Sequence, residues 1–171
     1  YDTDIFTRYI DQIAKDSNIA YTGSYTSDAY TDIAMRVIAD HTRAACFAIA
    51  DGAIPASGGA GYVIRRIIRR AVRYCYSYLH IKEPYLHRLV SLVIDYYSDV
   101  FPELQEQEAF ITRILLEEEK SFLNTLEQGL RRLDHAPVVQ GRLDGAYAFE
   151  LYDTYGFPLD LTQLIADEKG W

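Results

Sequence analysis

Five arginines crowd one short stretch, YVIRRIIRRAVRYC from Tyr62 to Cys75. At about 100° per residue, Arg65, Arg66, Arg69, Arg70 and Arg73 fall within a helical arc of about 140°, and Ile64, Ile67, Ile68, Ala71 and Cys75 fall opposite. A helix of this kind anchors one face in a core and presents guanidiniums on the other. Planar guanidinium forks match phosphate oxygens, and all five positions are arginine rather than lysine. Like charges at these spacings repel, so an anionic partner is expected to offset them. Two partners fit: phosphate, or the chain's own Glu117, Glu118 and Glu119. The cluster as a whole favours phosphate.

Immediately before the arginines lies Pro55-Ala56-Ser57-Gly58-Gly59-Ala60-Gly61, a loop of small residues that a ligand can approach closely. Downstream, Asp153 sits between Tyr152 and Tyr155, just ahead of Gly156. A carboxylate there either caps a turn or accepts hydrogen bonds from a ligand. Cys46 and Cys75 lack the spacing of a zinc site or a disulfide framework, which fits a reducing cytosol. His41 reads as a hydrogen-bonded structural residue, and the tyrosines as core or interface residues.

Charge is segregated along the chain. The 171 residues carry a formal charge of -8, yet Gly52 to Lys82 holds six basic residues and no acid, which leaves -14 for the remainder. A basic block in an acidic protein points to an anionic partner met on one surface. No apolar run reaches the length of about 18 residues that a membrane span needs. The chain starts at Tyr1 and its single methionine is Met35, so a piece of a longer protein is expected.

The elements that position these residues read as helices. Ile5, Tyr9, Ile10 and Ile13 mark a first helix ending near Asn18. After a loop over Thr22 to Thr26, Ser27 or Asp28 can cap a second helix, which admits a break near Asp40 and stops at Gly52. The arginine helix follows the small-residue loop. Pro84 and Pro102 each suit a first helical turn, opening a short helix to about Tyr97 and a long amphipathic one to about Leu133. A further helix runs from about Gly145 towards Gly156, and Asp160 with Gln163 forms a capping-box signature for a last helix ending at Gly170. Val138 and Val139 are the one hint of a strand.

Longer matches then become visible. DHTRAACFAIADGAIPASGGAGYVIRRIIRRAVRY, from Asp40 to Tyr74, resembles a signature stretch of the alanyl-tRNA synthetases. AFELYDTYGFPLDLT, from Ala148 to Thr162, resembles that family's next strong motif, EEEKSFLNTLEQG fits between them, and YDTDIF at the start resembles the segment after the last catalytic motif of this class II enzyme. The resemblance implies an all-α fold: a helical tRNA-recognition domain with one long amphipathic helix over residues 21–171, preceded by the tail end of a catalytic domain over 1–20.

It also implies a function. The parent enzyme activates alanine with ATP and Mg and transfers it to tRNA(Ala) in the cytoplasm, with zinc held in a separate editing domain. This stretch has neither of the class II motifs that hold ATP, so no alanine activation and no cofactor of its own are expected. Its partners would be the tRNA(Ala) acceptor stem and the catalytic and editing domains of the same chain, with no membrane. In the family an acid of the LYDTYG motif and an asparagine of the loop before the arginine helix read a wobble G·U pair. The acid maps onto Asp153. Ser57 stands where the asparagine is usual, and the family's basic residue near Gly59 or Ala60 is missing. The expected tRNA-binding set is Ser57, Arg65, Arg66, Arg69, Arg70, Arg73 and Asp153, with most of the arginines facing solvent. The competing classes are an independent RNA-binding module and a helical protein-interaction scaffold whose arginines pair with acids.

Overall fold

The computed structural model describes residues 1–171, which are mostly helical. Contacts divide the chain into two units, Tyr1–Lys120 and Ser121–Trp171. In the first unit, helix α1 covers Asp4–Ser17 and buries Tyr9, Ile10 and Ile13 against α2. It stops where Asn18 turns left-handed at φ 56°, letting the Asn18 and Ile19 amides reach the Lys15 and Ala14 carbonyls.

Helix α2 runs unbroken over Tyr30–Ala50, so the break admitted near Asp40 does not occur. Neither Ser27 nor Asp28 caps it; the N-cap is Ala29 and makes no side-chain bond. Asp32 does different work one turn in, accepting from Thr22 N at 3.1 Å, Thr22 Oγ1 at 2.8 Å and Ser24 N at 2.7 Å. Burial pushes the Asp32 carboxyl upward, but those bonds and the Arg36 charge outweigh it and hold its pKa below the usual value. The loop before α2 is thereby tied down by the helix itself.

The arginine helix α3 covers Gly59–Tyr78 and packs along α2. A 3-10 turn, Leu86–Leu89, leads into α4, Val90–Tyr97. Pro102 opens a helix as expected, but a short one: α5 is Pro102–Glu106, and α6 restarts at Glu108 and runs to Leu133. Gln107 separates them, with φ -105° and ψ 7°, and its side-chain amide donates to the Ala50 carbonyl at the end of α2, 3.0 Å away. The core of this unit gathers Ile10, Ile13, Met35, Ile38, Ile49, Ile68, Leu86, Leu89, Val93, Ile111 and Leu115, all almost fully buried.

In the second unit, the end of α6 is followed by a minimal hairpin, β1 Val138–Val139 and β2 Arg142–Leu143, with Val138 opposite Leu143. Gln140 and Gly141 both take positive φ, the geometry of a tight two-residue hairpin turn. Helix α7 covers Gly145–Asp153 and is capped by Asp144, which accepts from Ala146 N at 3.3 Å. Helix α8 covers Leu159–Lys169 with Pro158 at its N-cap, so Asp160 lies inside the first turn and the expected capping box does not form. Leu151, Phe157, Leu161 and Ile165 supply its core. No helix is long and apolar enough to cross a membrane.

Candidate nucleic-acid interface

The small-residue loop is folded back onto the start of α3. Ala56 N donates to Gly61 O at 3.1 Å, and a β-carbon on Gly61 would collide with the Ile54 carbonyl oxygen and stand 2.8 Å from Ala56 Cβ. Only glycine permits that approach. Ser57, Gly58, Gly59 and Ala60 are exposed as a result, at the N-terminal end of the arginine helix.

The five arginines divide into three environments. Arg66 is exposed, with its guanidinium 5.7 Å from the Tyr62 ring one turn back, and Arg70 is half-buried. Arg69 Nε donates to Glu118 Oε1 of α6 at 2.7 Å, and Arg65 Nε lies 3.4 Å from the other Glu118 oxygen. Arg73 is 3% exposed and lies 5.0 Å from the Tyr78 ring centroid and 5.3 Å from that of Tyr74. The expectation that most of these arginines face solvent is therefore not met. A helical wheel fixes the direction of a side chain but not what packs over it. Here a carboxylate of α6 covers one edge of the arc, and two tyrosines cover its C-terminal end. The pairing with α6 acids, weighed from the sequence, holds for Arg65 and Arg69.

His41 on α2 stands 3.5 Å from Asp40 and also feels Arg70. Burial holds its pKa below the usual histidine value; Asp40 works against that, and the Arg70 charge adds to it. Burial likewise pushes the Cys46 thiol up to about 12 and the Cys75 thiol well up, which makes both poor nucleophiles. No group of three or more His, Cys, Asp or Glu residues is placed to hold a metal ion.

Asp153 belongs to the second unit, where it is the last residue of α7 and is exposed. The turn that follows is closed by the main chain: Thr154 N to Glu150 O at 2.9 Å, Gly156 N to Tyr152 O at 3.1 Å and Phe157 N to Leu151 O at 2.9 Å. Gly156 takes φ 64°, and the buried Phe157 ring locks the turn against Gly129. The Asp153 carboxylate is therefore not needed as a cap and is presented outward. Tyr155 is engaged within this unit, with the Arg132 guanidinium 3.5 Å from its ring centroid.

The sequence offers Glu117, Glu118 and Glu119 together as arginine partners but does not separate the roles of Glu118 and Glu119. Buried Glu119 accepts from Tyr85 N at 2.7 Å, Leu86 N at 2.6 Å, His87 N at 3.1 Å and His87 Nδ1 at 3.0 Å, and so pins the 3-10 turn. Glu118 holds two arginines. Three consecutive acids in a long helix look like a solvated face, and the signal that two of them turn inward is their offset against Leu115 and Phe122.

Comparison with known proteins follows the same lines. The family model described as tRNA synthetases class II (A) matches residues 1–171. The chain is 53% identical to an alanine–tRNA ligase of Cytophaga hutchinsonii, over 99% of its own length and 20% of the relative's. It is 51% identical to one of Porphyromonas gingivalis, over 99% of this chain and 20% of that one, and 48% identical to one of Flavobacterium psychrophilum, over 100% and 20%. The chain thus spans about a fifth of the length of these curated relatives.

Proposed function

The chain belongs to the class II tRNA synthetase (A) family, and from that premise we propose that it is the acceptor-stem recognition region of an alanine–tRNA ligase. The parent enzyme activates alanine with ATP and Mg and transfers it to tRNA(Ala). Residues 1–20 end its catalytic domain and residues 21–171 form the recognition region; a separate editing domain holds zinc. The setting is cytoplasmic.

One observation carries this reading above the others: on α3, Arg66 is exposed and Arg70 half-exposed, four residues apart, on a helix that begins in a tightly folded loop with Ser57 outward. Spaced guanidiniums grip phosphates and fix the register of a duplex without reading sequence. Arg65, Arg69 and Arg73 complete the basic face from beneath.

Selection falls to Asp153 and Ser57. In a wobble G·U pair the guanine exocyclic amine is a donor in the minor groove, which is wide and shallow in RNA. A carboxylate can only accept, which suits Asp153 to that amine; the Ser57 hydroxyl can donate or accept. The chemical contribution of this region is orientation, so that the terminal adenosine of the tRNA reaches the alanyl-adenylate productively.

The test is Asp153→Asn in the full-length enzyme. An amide of equal size can set its own donor against the guanine amine, so charging should lose about ten- to a hundredfold of its preference for G·U over G·C stems. ATP–pyrophosphate exchange without tRNA should stay the same. Retained preference with collapsed exchange would place Asp153 in support of the catalytic domain instead.

A further inference from the structure

Arg65 touches two things at once. Its Nε lies 3.4 Å from Glu118 Oε2, and its Nη2 donates to the Pro55 carbonyl at 3.3 Å. Glu118 is only 9% exposed, and its other oxygen takes the 2.7 Å bond from Arg69 Nε. Pro55 is two residues from Ser57, in the loop whose far side is held by Ala56 N to Gly61 O. A continuous strut therefore runs from a buried carboxylate on α6, through a guanidinium on α3, to the main chain of the exposed loop.

We infer that Glu118 is a positioning residue for the Ser57 loop, acting through Arg65, and that Arg65 and Arg69 serve this strut rather than the phosphate backbone. The second half follows from the first. Drawing both arginines away to phosphates would strand a buried carboxylate, and drawing one away would leave one of its oxygens without its partner, an arrangement more costly than parting an exposed pair. Arginine is required at 65 because its fork spans an anion and a carbonyl together, which a single ammonium cannot do at these positions. Phosphate contact is left to Arg66 and Arg70. The importance of the loop rests on the recognition reading above; the strut itself does not.

The experiment uses the full-length enzyme with Glu118→Gln and, separately, Arg65→Lys. Amide hydrogen exchange over residues 53–61 is measured without RNA, and binding of G·U and G·C acceptor-stem hairpins is measured across salt concentrations. Exchange in the loop should quicken about threefold to tenfold in both variants, and the G·U preference should fall by a similar factor. The salt dependence should keep its slope, because no phosphate contact is lost. Unchanged loop exchange overturns the inference. So does tighter binding of both stems by Glu118→Gln with a steeper salt slope, which would make Arg65 and Arg69 phosphate ligands masked by Glu118. A lower melting temperature with equal weakening on both stems, and no selective loss, would reduce Glu118 to a fold-stabilising residue and also overturn it. If loop exchange responds but the unaltered enzyme shows no G·U preference, the strut stands and the recognition reading fails.

Discussion

The ring of Phe157 fills the space in which a β-carbon on Gly129 would stand, with its Cγ 2.6 Å from that point. Glycine inside α6 costs up to about 1 kcal/mol of helix propensity relative to alanine, so Gly129→Ala has something to gain. It loses more, because the obstacle is the body of a fully buried ring, and overpacking of that kind costs about 1–3 kcal/mol. We expect Gly129→Ala to lower the melting temperature. It should also blunt G·U selectivity, since Phe157 anchors the turn after Asp153. A rise in melting temperature would show that the ring yields freely.

The arginines should separate by environment. Arg66→Ala and Arg70→Ala should each weaken hairpin binding almost equally for G·U and G·C stems, and each should flatten the log-log salt slope by up to about 0.9. Arg73→Ala should mainly lower the melting temperature, because its guanidinium is buried beside Tyr74 and Tyr78. Titrations at several salt concentrations, run beside thermal melts, make the division measurable. A loss confined to G·U stems for Arg66→Ala would move that residue from grip to readout.

What the sequence discloses follows from how locally each feature is determined. Asn18, Gly52, Pro102 and Gly170 stand at helix ends because their backbone chemistry acts within a turn, and that much is readable residue by residue. Asp160 misleads for the same local reason: Pro158 already starts the helix, and its carbonyl takes the Leu161 and Thr162 amides. Of the strut, only the general pairing of arginines with the acids at 117–119 is readable; its link to the Pro55 carbonyl is not. Arg69 and Glu118 are 49 residues apart, and Glu119 meets Tyr85 across 34, so only packing shows what the inward acids of α6 meet. The arc of five arginines was legible as a basic face; which members remain at the surface was settled by neighbours from elsewhere in the chain.

His80 ends α3 in a conformation better suited to glycine. It follows the C-cap Leu79 with φ 57° and is exposed. A left-handed backbone costs an L-residue about 1–2 kcal/mol, and the extra freedom of glycine in the unfolded chain takes back about 0.4–1 kcal/mol. His80→Gly should therefore stabilise the protein by about 0.5–1 kcal/mol, read as a higher denaturation midpoint with an unchanged slope. A lower midpoint would mean that the imidazole makes a contact worth more than the strain.

His41 offers a pH signature and a reporter together. Its folded pKa is depressed, first by burial and further by Arg70, with Asp40 opposing. The unfolded chain therefore binds this proton more readily, and the sign is fixed: the His41 contribution is fully present above the unfolded value of about 6.5 and is lost as pH falls from there through the folded pKa. His41→Gln should flatten that part of the stability profile. Arg70→Ala, by removing a positive charge, should raise the His41 pKa in an NMR titration. Binding of an acceptor-stem hairpin should raise it too, because a phosphate seated on Arg70 offsets the same charge. If the hairpin binds and the His41 titration does not move, while Arg70→Ala still shifts it, the phosphate is not held at Arg70 and the grip lies elsewhere on the protein.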